Sequence, residues 1–130
     1  MKKHEVLATT NPTADAAIAA ATEGLSLNCF HHLHNDVSKE TALTICNYIF
    51  SLKSEVNPAD HYRKDVIILL CKLHTFFNNS ISFSKVTREE LLSFLDSYRK
   101  PEDVDPLHNW VGTYNIYRIH LMRFFKWLIS

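Results

Sequence analysis

Only two glycines, Gly24 and Gly112, and four prolines punctuate these 130 residues, and that scarcity is the tightest constraint on the fold. A chain built from strands turns every few residues and draws on glycine, proline, asparagine or aspartate to do so. With so few turn residues this chain favours long helices on short connections, and it contains no strand-pair pattern, internal repeat or low-complexity tract. Its length suits one hydrophobic core and one ordinary domain.

Apolar periodicity places the helices. Ala42, Ile45, Cys46, Ile49 and Leu52 recur at three and four residues and predict a helix from Ser38 to about Ser54. Asn57-Pro58-Ala59-Asp60 supplies a cap, a first-turn proline and an acid for the positive helix end. The helix that follows reaches about Asn78, where Asn78-Asn79-Ser80 stops it. It carries Tyr62, Val66, Leu69, Leu70, Leu73, Phe76 and Phe77 on an inner stripe, with His61, Lys64, Ile68, Cys71, Lys72 and Thr75 opposite. Ser82 to Lys85 reads as a short extended connection. Thr87 and Glu90 then form a capping box ahead of Leu91, Leu92, Phe94, Leu95 and Tyr98.

After the acidic loop from Pro101 to Pro106, Gly112 loosens the chain and Thr113 restarts a long final helix. Trp110, Tyr114, Tyr117, Leu121, Phe124, Phe125 and Leu128 form its inner seam. Asn115, Ile116, Ile119, His120, Arg123, Lys126 and Trp127 face outward. The expected architecture is all-α: a compact bundle of four main helices over residues 36–130, preceded by a flexible or weakly helical arm over residues 1–35.

Formal charge is zero, with 14 basic and 14 acidic side chains, so no global field announces a polyanionic partner. From Asn57 onward ten basic residues stand against eight acidic ones. Cys29, Cys46 and Cys71 are odd in number and form no Cys-x-x-Cys pair, as buried thiols of a reducing, cytoplasmic setting would be. The longest apolar runs, Ala16 to Ala21 and Val66 to Cys71, are too short to span a bilayer, so no membrane partner is expected.

Two glycines exclude glycine-rich phosphate loops. Cys29-Phe30-His31-His32-Leu33-His34 gathers potential metal ligands, but structural zinc sites join two separated pairs and no second pair is present. The stretch reads as a solvated histidine tract. No serine or cysteine can be matched with a histidine and an orienting carboxylate, so no catalytic residue, cofactor, metal or small-molecule substrate is expected.

Three segments carry a family likeness. They are the Tyr62 to Phe77 helix with its Asn57-Pro58-Ala59-Asp60-His61-Tyr62-Arg63-Lys64-Asp65 lead, the Thr-capped helix from Val86 to Leu95, and the final helix from Gly112-Thr113-Tyr114 to Phe124-Phe125-Lys126-Trp127-Leu128. Over roughly residues 40–130 the chain resembles the SAM-like core-binding domain of tyrosine recombinases, or phage-type integrases. The wording of the first segment and of Asp105-Pro106-Leu107-His108-Asn109-Trp110-Val111 is similar to archaeal integrases. The resemblance implies a helical half-clamp on double-stranded DNA serving recombination and integration. In that family the catalytic arginines, lysine, histidines and nucleophilic tyrosine lie in a following domain, and this chain ends at Ser130, so it is expected to be non-catalytic, as a fragment, a truncated gene product or a stand-alone module.

With inner seams buried, the outer faces are what a polyanion meets. Lys64, Lys72 and Thr75 on one helix and Asn115, Arg123 and Lys126 on the other are the expected phosphate contacts, assisted by His61 and His120. Ile116, Ile119 and Trp127 suit either thymine methyl groups or a protein interface, with a catalytic recombinase domain or other protomers as the partner. The alternative function is a protein-interaction bundle derived from a truncated recombinase.

Overall fold

The computed structural model describes residues 11–55, 59–78 and 82–129. Their regular structure is entirely helical: α1 (Asn11–Ala21), α2 (Leu27–His31), a π-helical turn (His32–Asp36), α3 (Lys39–Glu55), α4 (Asp60–Phe76), a 3-10 turn (Phe83–Lys85), α5 (Arg88–Asp96) and α6 (Trp110–Ile129). No described helix is long and apolar enough to cross a membrane.

The chain divides into two compact units, Met1–Ser80 and Ile81–Ser130, rather than into an arm and a single domain parting near residue 35. The four helices read from the sequence are present, two in each unit. The physical reason is that residues 14–33 supply core. Ala14, Ala17, Ile18 and Ala21 are buried at helical spacing, and α1 packs on α3. Alanine buries little area per residue, so this stripe is faint in sequence although it is regular in space. The expected flexibility of residues 1–10, and the cap formed by Asn57 and Pro58, lie outside the described residues.

α3 begins where Ser38 Oγ accepts the backbone N–H of Thr41 at 3.2 Å. It contributes Ala42, Ile45, Cys46 and Ile49 to the core and packs on α4, whose Val66, Leu69, Leu70 and Leu73 are also buried. Each fully buried leucine or isoleucine stabilises by roughly 1.5–3 kcal/mol. α4 is covered over more of its circumference than one stripe, because α2 and the π turn also pack on it. Cys71, expected outside, is therefore buried, as are Ile67 and His74, while Phe76 at the helix end is exposed instead of lying in the seam. Burial pushes the thiols of Cys46 and Cys71 up to about 12, which removes them as nucleophiles near neutrality.

Arg63 is buried at the start of α4. Its guanidinium donates to Ala21 O at 3.0 Å, to Glu23 O at 2.8 Å and to Asp60 Oδ1 at 2.7 Å. A cation thus satisfies carbonyls that α1 leaves open at its C-terminal end. Gly24, at φ 84°, turns the chain there.

In the second unit Phe83, Phe94, Leu95, Leu121 and Phe124 form the buried centre. Phe83 meets Phe124 edge to face at 5.3 Å, which positions the 3-10 turn that replaces the expected extended link. The capping box of α5 is complete: Thr87 Oγ1 accepts from Glu90 N at 3.1 Å, and Glu90 Oε1 accepts from Thr87 N at 2.8 Å.

Two outcomes are expected from the first unit. Arg63→Lys keeps one charge but cannot hold three acceptors in a planar fork, and should cost about 2 kcal/mol in urea unfolding. Burial lowers the pKa of His74, whose Nδ1 lies 3.4 Å from Thr41 Oγ1. The neutral ring is favoured in the fold, so its contribution is complete above the unfolded value of about 6.5 and declines as pH falls toward the folded pKa. Urea midpoints across that window should fall with acid, and less steeply in His74→Gln.

Candidate nucleic-acid interface

α6 starts at Trp110 and not at Thr113, because the Asp105 carboxylate accepts the Trp110 backbone N–H at 2.9 Å and so caps the helix three residues earlier. That bond, with help from nearby positive charge, holds the Asp105 carboxyl below its usual range. Arg99 closes the same end, pairing with Asp96 at 3.0 Å and lying over the Trp110 ring at 5.3 Å and the Tyr114 ring at 5.6 Å. Gly112 consequently sits inside the first turn, where a Cβ would meet nothing within 4 Å.

Burial of Leu121 and Phe124 sets the rotation of α6. At about 100° per residue, Asn115, Ile116, Ile119, Arg123 and Lys126 then fall on one arc of about 100–120°. All five are exposed, Ile116 at 53% and Ile119 at 42%. The helix carries Arg118, Arg123 and Lys126 and no aspartate or glutamate along its 20 residues. The arc is therefore cationic with an apolar centre and holds no carboxylate of its own. His120 and Trp127, expected on this face, are half-buried; the Trp127 ring packs 5.9 Å from Phe124 because both lie toward the edge of the seam.

The α4 face is different in character. His61, Lys64, Lys72 and Thr75 are exposed in one row, but Asp65 is exposed beside them. Lys72 and Thr75 also border a cleft of about 190 Å³ shared with His32 and Asp36. Asp36 Oδ2 stands 2.6 Å from His32 Nδ1, and His34 Nε2 lies 3.3 Å from Asp15 Oδ1. His32 and His34 of the Cys29–His34 stretch thus engage carboxylates, His31 stands edge-on to the Phe30 ring, and Cys29 is buried in the core. The proposed contacts are distributed as His61, Lys64, Lys72 and Thr75 in the first unit and Asn115, Arg123 and Lys126 in the second.

A feature absent from the sequence reading is an apolar groove of about 420 Å³ between α5 and α6. Leu91, Leu92, Leu121, Met122 and Phe125 form it, with Arg88 and Arg118 on its border. Its signal in sequence was weak, since Arg118 and Met122 stand four apart on a helix whose other positions already accounted for a seam and an outer face.

None of the protein-family models, curated proteins or solved structures compared with the chain matches it.

Gly112→Ala should stabilise the second unit by about 0.5 kcal/mol, since alanine restricts the unfolded chain and enters open space in the folded one. Thermal unfolding of the variant checks this; a lower midpoint would show that the backbone there is not helical.

Proposed function

We propose that this chain is a non-catalytic module that binds double-stranded DNA through the outer face of α6, in the manner of the tyrosine-recombinase core-binding domain its sequence resembles. The observation that carries the reading is the outer arc of an acid-free helix: Arg123, Lys126, Asn115, Ile116 and Ile119, with no carboxylate from Trp110 to Ile129. Arg123 and Lys126 pair with phosphates and position the protein, Asn115 donates to phosphate or a base edge, and Ile116 and Ile119 meet thymine methyl groups. Lys64, Lys72, Thr75 and His61 add a weaker contact, because Asp65 and Asp36 dilute their field. The service is grip for recombination and integration; cleavage belongs to a separate catalytic domain. Three free, buried thiols suit a cytoplasmic setting.

A second reading has one observation in its favour. Ile116 and Ile119 are large apolar side chains left exposed on a helix, which also fits a docking face for another protein, such as a recombinase catalytic domain or another protomer.

Fluorescence anisotropy with a labelled duplex tests the first reading. Affinity should fall as salt rises, with a log–log slope steepening by about 0.9 for each phosphate engaged. Arg123→Glu with Lys126→Glu should weaken binding by roughly tenfold or more and flatten the slope by about two, and Lys64→Glu with Lys72→Glu should do less. Binding that ignores salt, or that survives the α6 reversal, removes the DNA reading and leaves the protein-docking one.

A further inference from the structure

The groove between α5 and α6 has an apolar floor, including Leu92 and Phe125, and a guanidinium from each helix, Arg88 and Arg118, the latter donating to Met122 Sδ at 3.3 Å. Met122 is 59% exposed, a large apolar side chain at the edge of an open cleft. An occupant that matches this surface has apolar side chains to place on the floor and carboxylates to meet two arginines.

The chain itself displays such a segment. In the turn that follows α5, Val104 is 66% exposed and Leu107 is 79% exposed, flanked by the exposed carboxylates of Glu102 and Asp103. The turn is ordered: Pro101 O accepts the N–H of Val104 at 3.0 Å and of Asp105 at 2.9 Å, and Asp105 O accepts from His108 at 3.0 Å. A preformed turn loses little conformational entropy on docking. It leads into α6 at Trp110, whereas the groove borders that helix from Arg118 onward, about 12 Å further along the axis. Pinned to the N-terminal end of α6 by the Asp105–Trp110 bond, the turn stays away from the groove of its own chain.

We propose that the Arg88–Arg118 groove receives the Glu102–Leu107 turn of a second copy of this chain. Val104 and Leu107 cover the floor, and Glu102 and Asp103 pair with the two arginines. Turn and groove are different surfaces, so the contact is heterologous: each copy keeps a free turn at one end and a free groove at the other, and copies add in a row. A turn in a groove buries less than a standard interface, which places it in the weak, concentration-dependent class. This inference is independent of the DNA reading, since Arg123 and Lys126 take no part in it.

Sedimentation velocity of the full chain, nuclease-treated and free of DNA, tests it over a concentration series. The weight-average mass should rise with concentration and fall back with added salt. Arg88→Glu with Arg118→Glu should be monomeric, and so should Glu102→Lys with Asp103→Lys. Mixing the two variants should restore association, because each variant's groove then meets a turn of opposite charge. Circular dichroism and thermal midpoints confirm that both variants fold. As a second probe that leaves the charges in place, Leu107→Ser should also weaken the association. A wild-type chain monomeric to its solubility limit, association indifferent to both charge reversals, or a mixture that stays monomeric overturns the proposal.

Discussion

The burial of Phe124 against Phe83 governs what the second unit can do. Phe124 is wholly buried and the two rings meet edge to face, a pair worth about 0.5–1.5 kcal/mol beyond the area it removes from water. A helix is a rigid screw, so fixing Leu121 and Phe124 inward fixes every other side chain on α6. Asn115, Ile119 and Lys126 have no freedom to face anywhere but out. The same rotation puts Arg118 and Met122 between the seam and the outer arc, where α5 completes a groove with them.

Charge placement on α6 serves the helix as well as its surface. Lys126 stands in the last turn, where a cation opposes the negative end of the helix dipole, and Asp105 caps the positive end. Helix stability alone accounts for cations there. It does not require that carboxylates be missing, since Glu–Lys pairs four apart would stabilise the same helix. The absence of acids is the part of the pattern that fold energetics leave unexplained and that an anionic partner explains.

Neighbouring residues in the first unit show how little a count of charges says. Arg63 and Lys64 are adjacent, yet one helical step of about 100° separates a buried guanidinium with three acceptors from an exposed ammonium. α3, α4, α5 and α6 were legible because each carries large apolar residues at helical spacing, and the α5 start because Thr87 and Glu90 form a local device. α1 was not, since its buried face is mostly alanine. The start of α6 was misplaced because a carboxylate five residues upstream caps it, and Gly112 in sequence looks like a break. Cys71 was misassigned because a wheel knows one partner, whereas α4 is packed by α2, the π turn and α3. Of the candidate interface, the outward arc was legible from periodicity. His120 and Trp127 were not, because residues at the margin of a seam are decided by what neighbouring elements cover.

Two surfaces therefore share α6 and meet at Met122, which lines the groove yet lies within about 40° of Asn115 and Lys126. Viewed down the axis, the groove residues Leu121 and Phe125 lie about 100° or more from Ile119 and Lys126, and Phe125 lies about 80° from Asn115. A copy seated in the groove leaves Ile116, Ile119 and Arg123 open on the far side of the arc, and a duplex on the arc leaves Arg118 and Phe125 on the groove side. The two interactions also differ in their electrostatic range. Phosphates present a dense line of charge that draws in any exposed cation, whereas a groove with two arginines asks for carboxylates at one spacing above an apolar floor. Arg118 is the residue where the distinction is sharpest, because it belongs by charge to the acid-free helix and by position to the groove.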